Sequence, residues 1–142
     1  ANKGYMPQPR LVQAIRTNGE EQVVPSHESV QVISSRTADI VSAMLGSVVN
    51  VGHSKGARVP GYFLAGKTGT AQIANEGKEG YSEDTNHTFA GFFPLSRPRF
   101  VVVVKMEKPK VGRFAESTAV PVFRNIAEFL LQYYKIPPDR TD

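Results

Sequence analysis

GYFLAGKTGTAQ, residues 61–72, is the segment that decides how this chain folds. Residues 61–68 match the phosphate-loop template G-x-x-x-x-G-K-[ST], in which loop amides wrap a phosphate and a helix begins at the lysine. Lys67, Thr68 and Gly69 equally fit an extended strand that lines a cleft. The two interpretations predict different structures after Lys67, a helix in the first case and a continuing strand in the second.

The residues around the lysine disfavour a phosphate loop. The four variable positions, residues 62–65, are Tyr, Phe, Leu and Ala, which are bulky strand formers, and no buried strand precedes Gly61. The sequence after Thr68 is GTAQIANEG, which cannot sustain a helix. A nucleotide-binding module therefore stays only as the disfavoured alternative.

An extended strand gives each residue of the motif a distinct place. Successive side chains alternate faces, so Lys67 and Gly69 are predicted on one side and Thr68 and Thr70 on the other, unless a bulge turns them. A glycine on an edge strand lets a peptide lie alongside, and a lysine offers positive charge for a carboxylate. A bare Lys-Thr-Gly triplet is more often a surface turn, so the neighbouring sequence has to decide.

Composition narrows the class of protein. The chain has 142 residues, 40% of them hydrophobic, which is enough for a single core. Its net charge is +4, but its basic residues are interspersed with acidic ones, so no nucleic-acid surface is predicted. The absence of cysteine excludes disulfides and thiolate chemistry. His27, His53 and His87 lack metal-ligand spacing and are interpreted as loop residues; no metal or cofactor is expected.

The first half of the chain predicts a hairpin and a helix. Asn18-Gly19 separates two short apolar runs, residues 11–15 and 21–25, and both turn residues tolerate positive φ. Apolar residues then recur with helical spacing from a capping Ser35 to a stop at Gly52. The helix is expected to be amphipathic.

The second half predicts a sheet covered by helices. A mobile polar loop is expected at 52–61, a strand at 62–73 and a surface loop at 74–86. Strands at 87–95 and 99–107 are joined by Ser-Arg-Pro, which forces antiparallel pairing.

The last predicted strand and helix belong to the same layered structure. Val101 to Val104 show no polar alternation, so this strand is expected to be covered on both faces. A last helix from Ser117 or Thr118 to Pro137, with Pro121 in its first turn, should pack on the sheet. The aromatic residues expected in the core are Phe89, Phe92, Phe93, Phe123 and Phe129.

Three longer segments carry a specific resemblance. VPGYFLAGKTGTAQ, HTFAGFFPLSRPRFVVVVKMEKPK and AVPVFRNIAEFLLQYYKIP, in that order, resemble the C-terminal part of the transpeptidase domain of class B penicillin-binding proteins. The opening ANKGYMPQPRLVQAI resembles the segment after the family's second motif. The resemblance implies an α/β (α+β) fold, an antiparallel sheet with helices packed on its faces, of the serine-transpeptidase and β-lactamase kind. Residues 1–142 would be the C-terminal portion of that domain.

The resemblance also implies roles for the motif. Lys67 would join the hydroxyl network of the active site and keep it electropositive, and Thr68 and Thr70 would bind the carboxylate of a stem peptide or a β-lactam. The backbone N–H of Thr70 would supply half of an oxyanion hole, while Gly69 would leave the strand open to substrate. The family's nucleophile lies in Ser-x-x-Lys and its second motif is Ser-x-Asn, but no serine here has Lys at +3 or Asn at +2. The chain is therefore expected to be half of an active site and inactive alone.

The implied function is that of a peptidoglycan D,D-transpeptidase. Its expected partners are the peptidoglycan stem peptide, β-lactam antibiotics, the upstream half of the same domain and a SEDS-type glycosyltransferase. The expected location is the bacterial cell envelope, at the outer face of the cytoplasmic membrane, with the anchor outside this chain. A non-catalytic penicillin-binding-like assembly domain remains the alternative from a different class.

Overall fold

The structure, a computed structural model, describes residues 1–139 and divides into two compact units, Asn2–Ile40 and Val41–Asp142 with Ala1. Within residues 1–139, the strands and α-helices number seven and two. They are β1 (Tyr5–Met6), β2 (Ala14–Thr17), β3 (Glu20–Val23), β4 (Val30–Gln31), α1 (Ser35–Asn50), β5 (Ala65–Ala74), β6 (Tyr81–Phe93), β7 (Phe100–Glu107) and α2 (Ala119–Tyr133).

The unit Asn2–Ile40 holds two small antiparallel ladders, β1 with β4 and β2 with β3. The predicted hairpin is confirmed, because β2 and β3 meet at Asn18 and Gly19, which have φ of 52° and 86°. Both residues lie in the left-handed region that a two-residue hairpin turn requires. The paired segments begin and end a few residues from the predicted runs.

Helix α1 is confirmed, but its cap and its apolar face differ from the prediction. The capping hydroxyl belongs to Ser34, which accepts a hydrogen bond from the Thr37 N–H at 3.1 Å, so Ser35 is already the first helical residue. Of the predicted apolar positions, Val49 is buried whereas Met44 is 64% exposed. The helical spacing was therefore correct, but the described residues cover only part of this face.

The central sheet is antiparallel with the order β5-β6-β7, so the predicted fold class is confirmed. The predicted loop at 74–86 is wrong in its second half, because β6 begins at Tyr81 and only residues 75–80 form a turn. Most of residues 81–86 are polar. A strand whose faces are exposed to solvent can have polar side chains, provided that its backbone finds hydrogen-bond partners. Here β5 supplies those partners, with Ala71 opposite Asn86 and Gln72 opposite Thr85.

The segment 52–61 is less exposed than the polar loop that its glycines predicted. It contains a short 3₁₀ helix, Lys55–Ala57, and both Ala57 and Val59 are buried. A Cβ on Gly56 would lie 3.3 Å from Val120 of α2, so the segment packs closely on that helix. Small residues produced the loop pattern in the sequence, yet here they allow close packing.

Helix α2 packs on one face of the sheet, as predicted, with Pro121 in its first turn. The ring of Phe123 lies 4.6 Å from that of Phe89 and 5.7 Å from that of Phe93. Phe129 was expected in the core but is 61% exposed, since it lies on the opposite face of the helix. The helix ends at Tyr133, four residues before the predicted end at Pro137.

Strand β7 is covered on only one face by the described residues. Val101 is 70% and Val103 66% exposed, whereas Val104 is buried, so the prediction of helices on both faces is not met within residues 1–139. The four consecutive valines hide the period-two geometry of the strand in the sequence, because both faces carry the same residue type. The outer edges of β5 and β7 pair with no other strand in this part of the chain.

Candidate active site

The Lys-Thr-Gly-Thr motif lies within β5, which is an edge strand of the sheet. One side of β5 pairs with β6, and the described residues leave its other side unpaired. The strand continues to Ala74, and no helix begins at Lys67, so the structural context of a phosphate loop is absent from this segment. An open strand edge is the arrangement that lets an extended peptide add as a further strand.

The register confirms the predicted alternation of the motif. Lys67 lies opposite Ala90, Thr68 opposite Phe89, and Thr70 opposite His87. Residues opposite each other in an antiparallel pair share a face, so the two threonines lie on the face of Phe89 and His87. The Lys67 side chain begins on the other face.

The Lys67 ammonium lies beside the neighbouring hydroxyl. Its Nζ atom donates to the carbonyl oxygen of Thr68 at 3.0 Å and to Thr68 Oγ1 at 3.2 Å. The side chain is exposed, and no acidic side chain among the described residues forms an ion pair with it. The site thus presents a positive charge and a hydroxyl together, which suits an anionic ligand.

Gly69 has a packing role that sequence reasoning missed. A Cβ at this position would lie 2.5 Å from Thr88 Oγ1, and that hydroxyl donates to the Gly69 carbonyl at 3.4 Å. The glycine therefore lets β5 and β6 approach closely, in addition to the predicted clearance for substrate.

A cleft of about 320 Å³ opens beside Thr70. One wall comes from β6 and the other from the segment after β7, which sequence reasoning did not place near the site. Within it, Lys108 pairs with Asp84 at 3.4 Å, and the Arg113 guanidinium lies 5.5 Å from the centre of the Phe114 ring. The lining residues are Thr70, Glu83, Asp84, Thr85, Lys108, Pro109, Gly112, Arg113 and Phe114.

His87 is a strand residue, so its interpretation as a loop histidine is wrong, whereas the strand predicted at 87–95 includes it. It lies on β6 with 0% exposure, and each ring nitrogen has a hydroxyl partner, Thr85 Oγ1 at 2.9 Å from Nε2 and Thr118 Oγ1 at 2.8 Å from Nδ1. The available signal was its period-two spacing from Phe89, which marks the buried face. Within residues 1–139, no three His, Asp or Glu side chains converge so that they could hold a metal ion.

The titration of Glu107 is perturbed by its neighbours. The hydrogen bond from Lys105 and its positive charge lower the pKa of Glu107, with a smaller contribution from Lys108. Glu107 lies on β7, which pairs with β6 and not with the site strand. This exposed ion pair is a surface feature outside the site strand.

A family comparison matches residues 1–128 to the penicillin-binding protein transpeptidase domain. The chain belongs to this family. It is 36% identical over 148 aligned positions to penicillin-binding protein PbpB of Mycobacterium tuberculosis. This alignment covers 96% of the chain and 22% of PbpB. It is 40% identical over 111 positions to stage V sporulation protein D of Bacillus subtilis, covering 76% of the chain and 17% of the relative.

A further curated relative and two solved structures are also similar to this chain. The peptidoglycan D,D-transpeptidase FtsI homolog of Mesostigma viride is 39% identical over 76% of the chain and 18% of the relative. Penicillin-binding protein 3 of Mycobacterium tuberculosis, complexed with ampicillin, superposes with a TM-score of 0.85 at 34% identity, over 99% of the chain and 33% of that structure. A peptidoglycan synthetase from Bifidobacterium adolescentis superposes with a TM-score of 0.84 at 29% identity. The superposition covers 100% of this chain and 26% of that structure.

The chain spans about a fifth of the length of these curated relatives. Their family is one of bacterial-type cell-wall transpeptidases, and one solved relative holds a β-lactam. None of the helices described within residues 1–139 has the length and hydropathy needed to cross a membrane.

Proposed function

We propose that this chain supplies the substrate-binding strand of a peptidoglycan D,D-transpeptidase that cross-links stem peptides through a serine acyl-enzyme and binds β-lactams. The observation that carries the proposal is the position of Lys67-Thr68-Gly69-Thr70 on an open edge strand, in a chain of the transpeptidase family. The D,D-transpeptidase names of its relatives and the ampicillin complex of a structural neighbour support it.

In this proposal, the motif binds the carboxylate end of its ligand. Thr68 and Thr70 share a face of β5 and donate hydroxyl hydrogens to the carboxylate of a stem peptide or a β-lactam. Lys67 adds positive charge and hydrogen-bonds with the hydroxyl network, which its contact with Thr68 Oγ1 supports. The Thr70 N–H donates to the developing oxyanion, where a fixed donor accelerates acyl transfer most.

The nucleophile comes from polypeptide outside these residues. A serine in a Ser-x-x-Lys motif attacks the carbonyl of the penultimate D-Ala, the terminal D-Ala leaves, and an amine of a second stem peptide then takes the acyl group from the serine ester. The upstream half of the domain, which carries that serine and the Ser-x-Asn motif, is therefore the first partner. A SEDS-type glycosyltransferase and a location at the outer face of the cytoplasmic membrane complete the proposed setting.

The test is acylation by a fluorescent penicillin in a full-length protein that contains this chain. Lys67→Ala should slow acylation by about 100-fold or more, because proton transfer and charge stabilisation are both weakened. Lys78→Ala is the matched control, since Lys78 is also exposed but lies in the turn between β5 and β6. Equal rates for the two variants would refute the role of Lys67. A folded wild-type protein that forms no penicillin adduct would favour the non-catalytic assembly domain.

A further inference from the structure

His87 is a fully buried imidazole beside the proposed site, and the proposed function does not use it. It lies directly opposite Thr70 in the register of β5 and β6, on the same face of the sheet. A buried polar ring needs partners for both nitrogens, and His87 has them in Thr85 and Thr118. No acidic side chain is among these hydrogen-bond partners.

The two hydrogen bonds of His87 reach opposite walls of the cleft beside Thr70. Thr85, bonded to Nε2, lines the wall that β6 forms. Thr118, bonded to Nδ1, also donates to the carbonyl oxygen of Phe114 at 3.3 Å, and Phe114 lines the opposite wall. The imidazole therefore connects both walls from the position opposite the threonine that is proposed to bind carboxylate.

The Thr118 hydroxyl does not cap its own helix. Thr118 is the N-cap residue of α2, where a threonine side chain commonly accepts a hydrogen bond from the first turn. Here no side-chain cap forms, and the hydroxyl instead contacts His87 and Phe114. The contact with His87 thus replaces a local stabilising bond of the helix with a link across the cleft.

One neutral form of the ring satisfies all three contacts. If Thr118 Oγ1 donates to the Phe114 carbonyl, its oxygen must accept from His87, so the proton lies on Nδ1. The unprotonated Nε2 then accepts from the Thr85 hydroxyl. With Thr118 donating to Phe114, the neutral ring makes all three contacts only as the Nδ1–H tautomer.

We propose that His87 is a positioning residue that holds the two walls of the cleft at a fixed separation and so orients Thr70 toward the ligand carboxylate. This inference rests on the proposed function of Thr70. The link that matters is the one to Thr118, because Thr85 lies on the same strand as His87, whereas Thr118 belongs to the start of α2. Loss of the Nδ1 contact should therefore slow acylation more than loss of the Nε2 contact.

Two amide substitutions separate the contacts in a full-length protein that contains this chain. The amide of His87→Asn can take the place of Nδ1 and keep the bond to Thr118, while that of His87→Gln extends toward Thr85. The acylation rate with a fluorescent penicillin should be about tenfold or more higher for His87→Asn than for His87→Gln, as expected when a site group is displaced by a fraction of an ångström. Thermal melting of both variants confirms that the rates refer to folded protein.

A double-mutant cycle distinguishes positioning from general stability. If His87 acts through Thr70, His87→Gln should slow acylation much less in a Thr70→Val background than in the wild type. An equal loss in both backgrounds, or equal rates for His87→Asn and His87→Gln, would overturn the proposal. If Thr70→Val alone leaves acylation unchanged, the proposed function fails instead.

A measurement that needs no variant tests the same geometry. Imidazole nitrogen chemical shifts in the wild-type protein should give Nδ1 as the protonated and Nε2 as the unprotonated nitrogen of His87. The opposite tautomer would contradict the link through Thr118 to Phe114, even if every His87 variant failed to fold.

Discussion

At the scale of single residues, the hydroxyls of Thr68 and Thr70 are the groups proposed to bind carboxylate. Replacing either by Val in a full-length protein that contains this chain should slow acylation by about 10- to 100-fold, since each charge-assisted hydrogen bond is typically worth about 1.5–3 kcal/mol. Val keeps the shape of Thr, so the melting temperature should change little. Stopped-flow acylation by a fluorescent penicillin measures the rates.

Thr17→Val is the control for this pair, because Thr17 is an exposed strand threonine on β2. Its acylation rate should match that of the wild type. Rates for the Thr68 and Thr70 variants equal to that of Thr17→Val would contradict carboxylate recognition by these hydroxyls.

Substitutions at Gly69 can distinguish its role in strand packing from its role in leaving room for substrate. Gly69→Ala places a Cβ 2.5 Å from Thr88 Oγ1, so this variant should lower both the melting temperature and the acylation rate. Adding Thr88→Ala removes that oxygen, and the nearest remaining atom of residue 88 is then 3.9 Å away, which is an ordinary contact.

The double variant should therefore regain most of the lost stability. Its acylation should stay slow if Gly69 also leaves the strand open to substrate, as the proposed function requires. Recovery of the acylation rate together with the stability would show that Gly69 serves strand packing alone.

At the scale of elements, the sequence predicted the structures that depend on local residue spacing. It missed those that depend on pairing or packing with distant segments. The turn at Asn18-Gly19 and the helical period of α1 were readable because backbone preference and apolar spacing are local properties. The start of β6 at Tyr81 was not, because its polar residues form a strand only by pairing with β5. The strand position of the motif was predictable, whereas the cleft walls and the buried His87 depend on long-range packing.

Hydrogen exchange tests these corrected boundaries. Amides at 75–80 should exchange fast, since the turn has exposed residues and few backbone bonds, while those at 88–92 should exchange slowest, since β6 pairs on both sides. Intermediate protection is expected for 81–86. Exchange at 81–86 as fast as in the turn would restore the loop that the sequence predicted.

At the scale of the whole molecule, the described residues leave apolar surface uncovered. Val101 and Val103 are exposed on the sheet face opposite α2, and Met44 is exposed on α1. The sequence could not show which face is covered, because a run of valines is equally apolar on both. Exposed β-branched residues on an unpaired edge strand favour aggregation. The isolated chain is therefore expected to be poorly soluble, and the upstream half of the domain should restore its solubility.

We propose that this chain contributes the binding strand of a transpeptidase site and that a segment outside these residues contributes its serine. The direct measurement is intact mass and peptide mapping after incubation with a penicillin, for the 142-residue chain alone and for a full-length protein that contains it. We expect no mass gain on the isolated chain and one adduct on the full-length protein, at a serine outside these residues. An adduct on a serine within the isolated chain would show that the nucleophile lies within these residues and that the proposed division of the site is wrong.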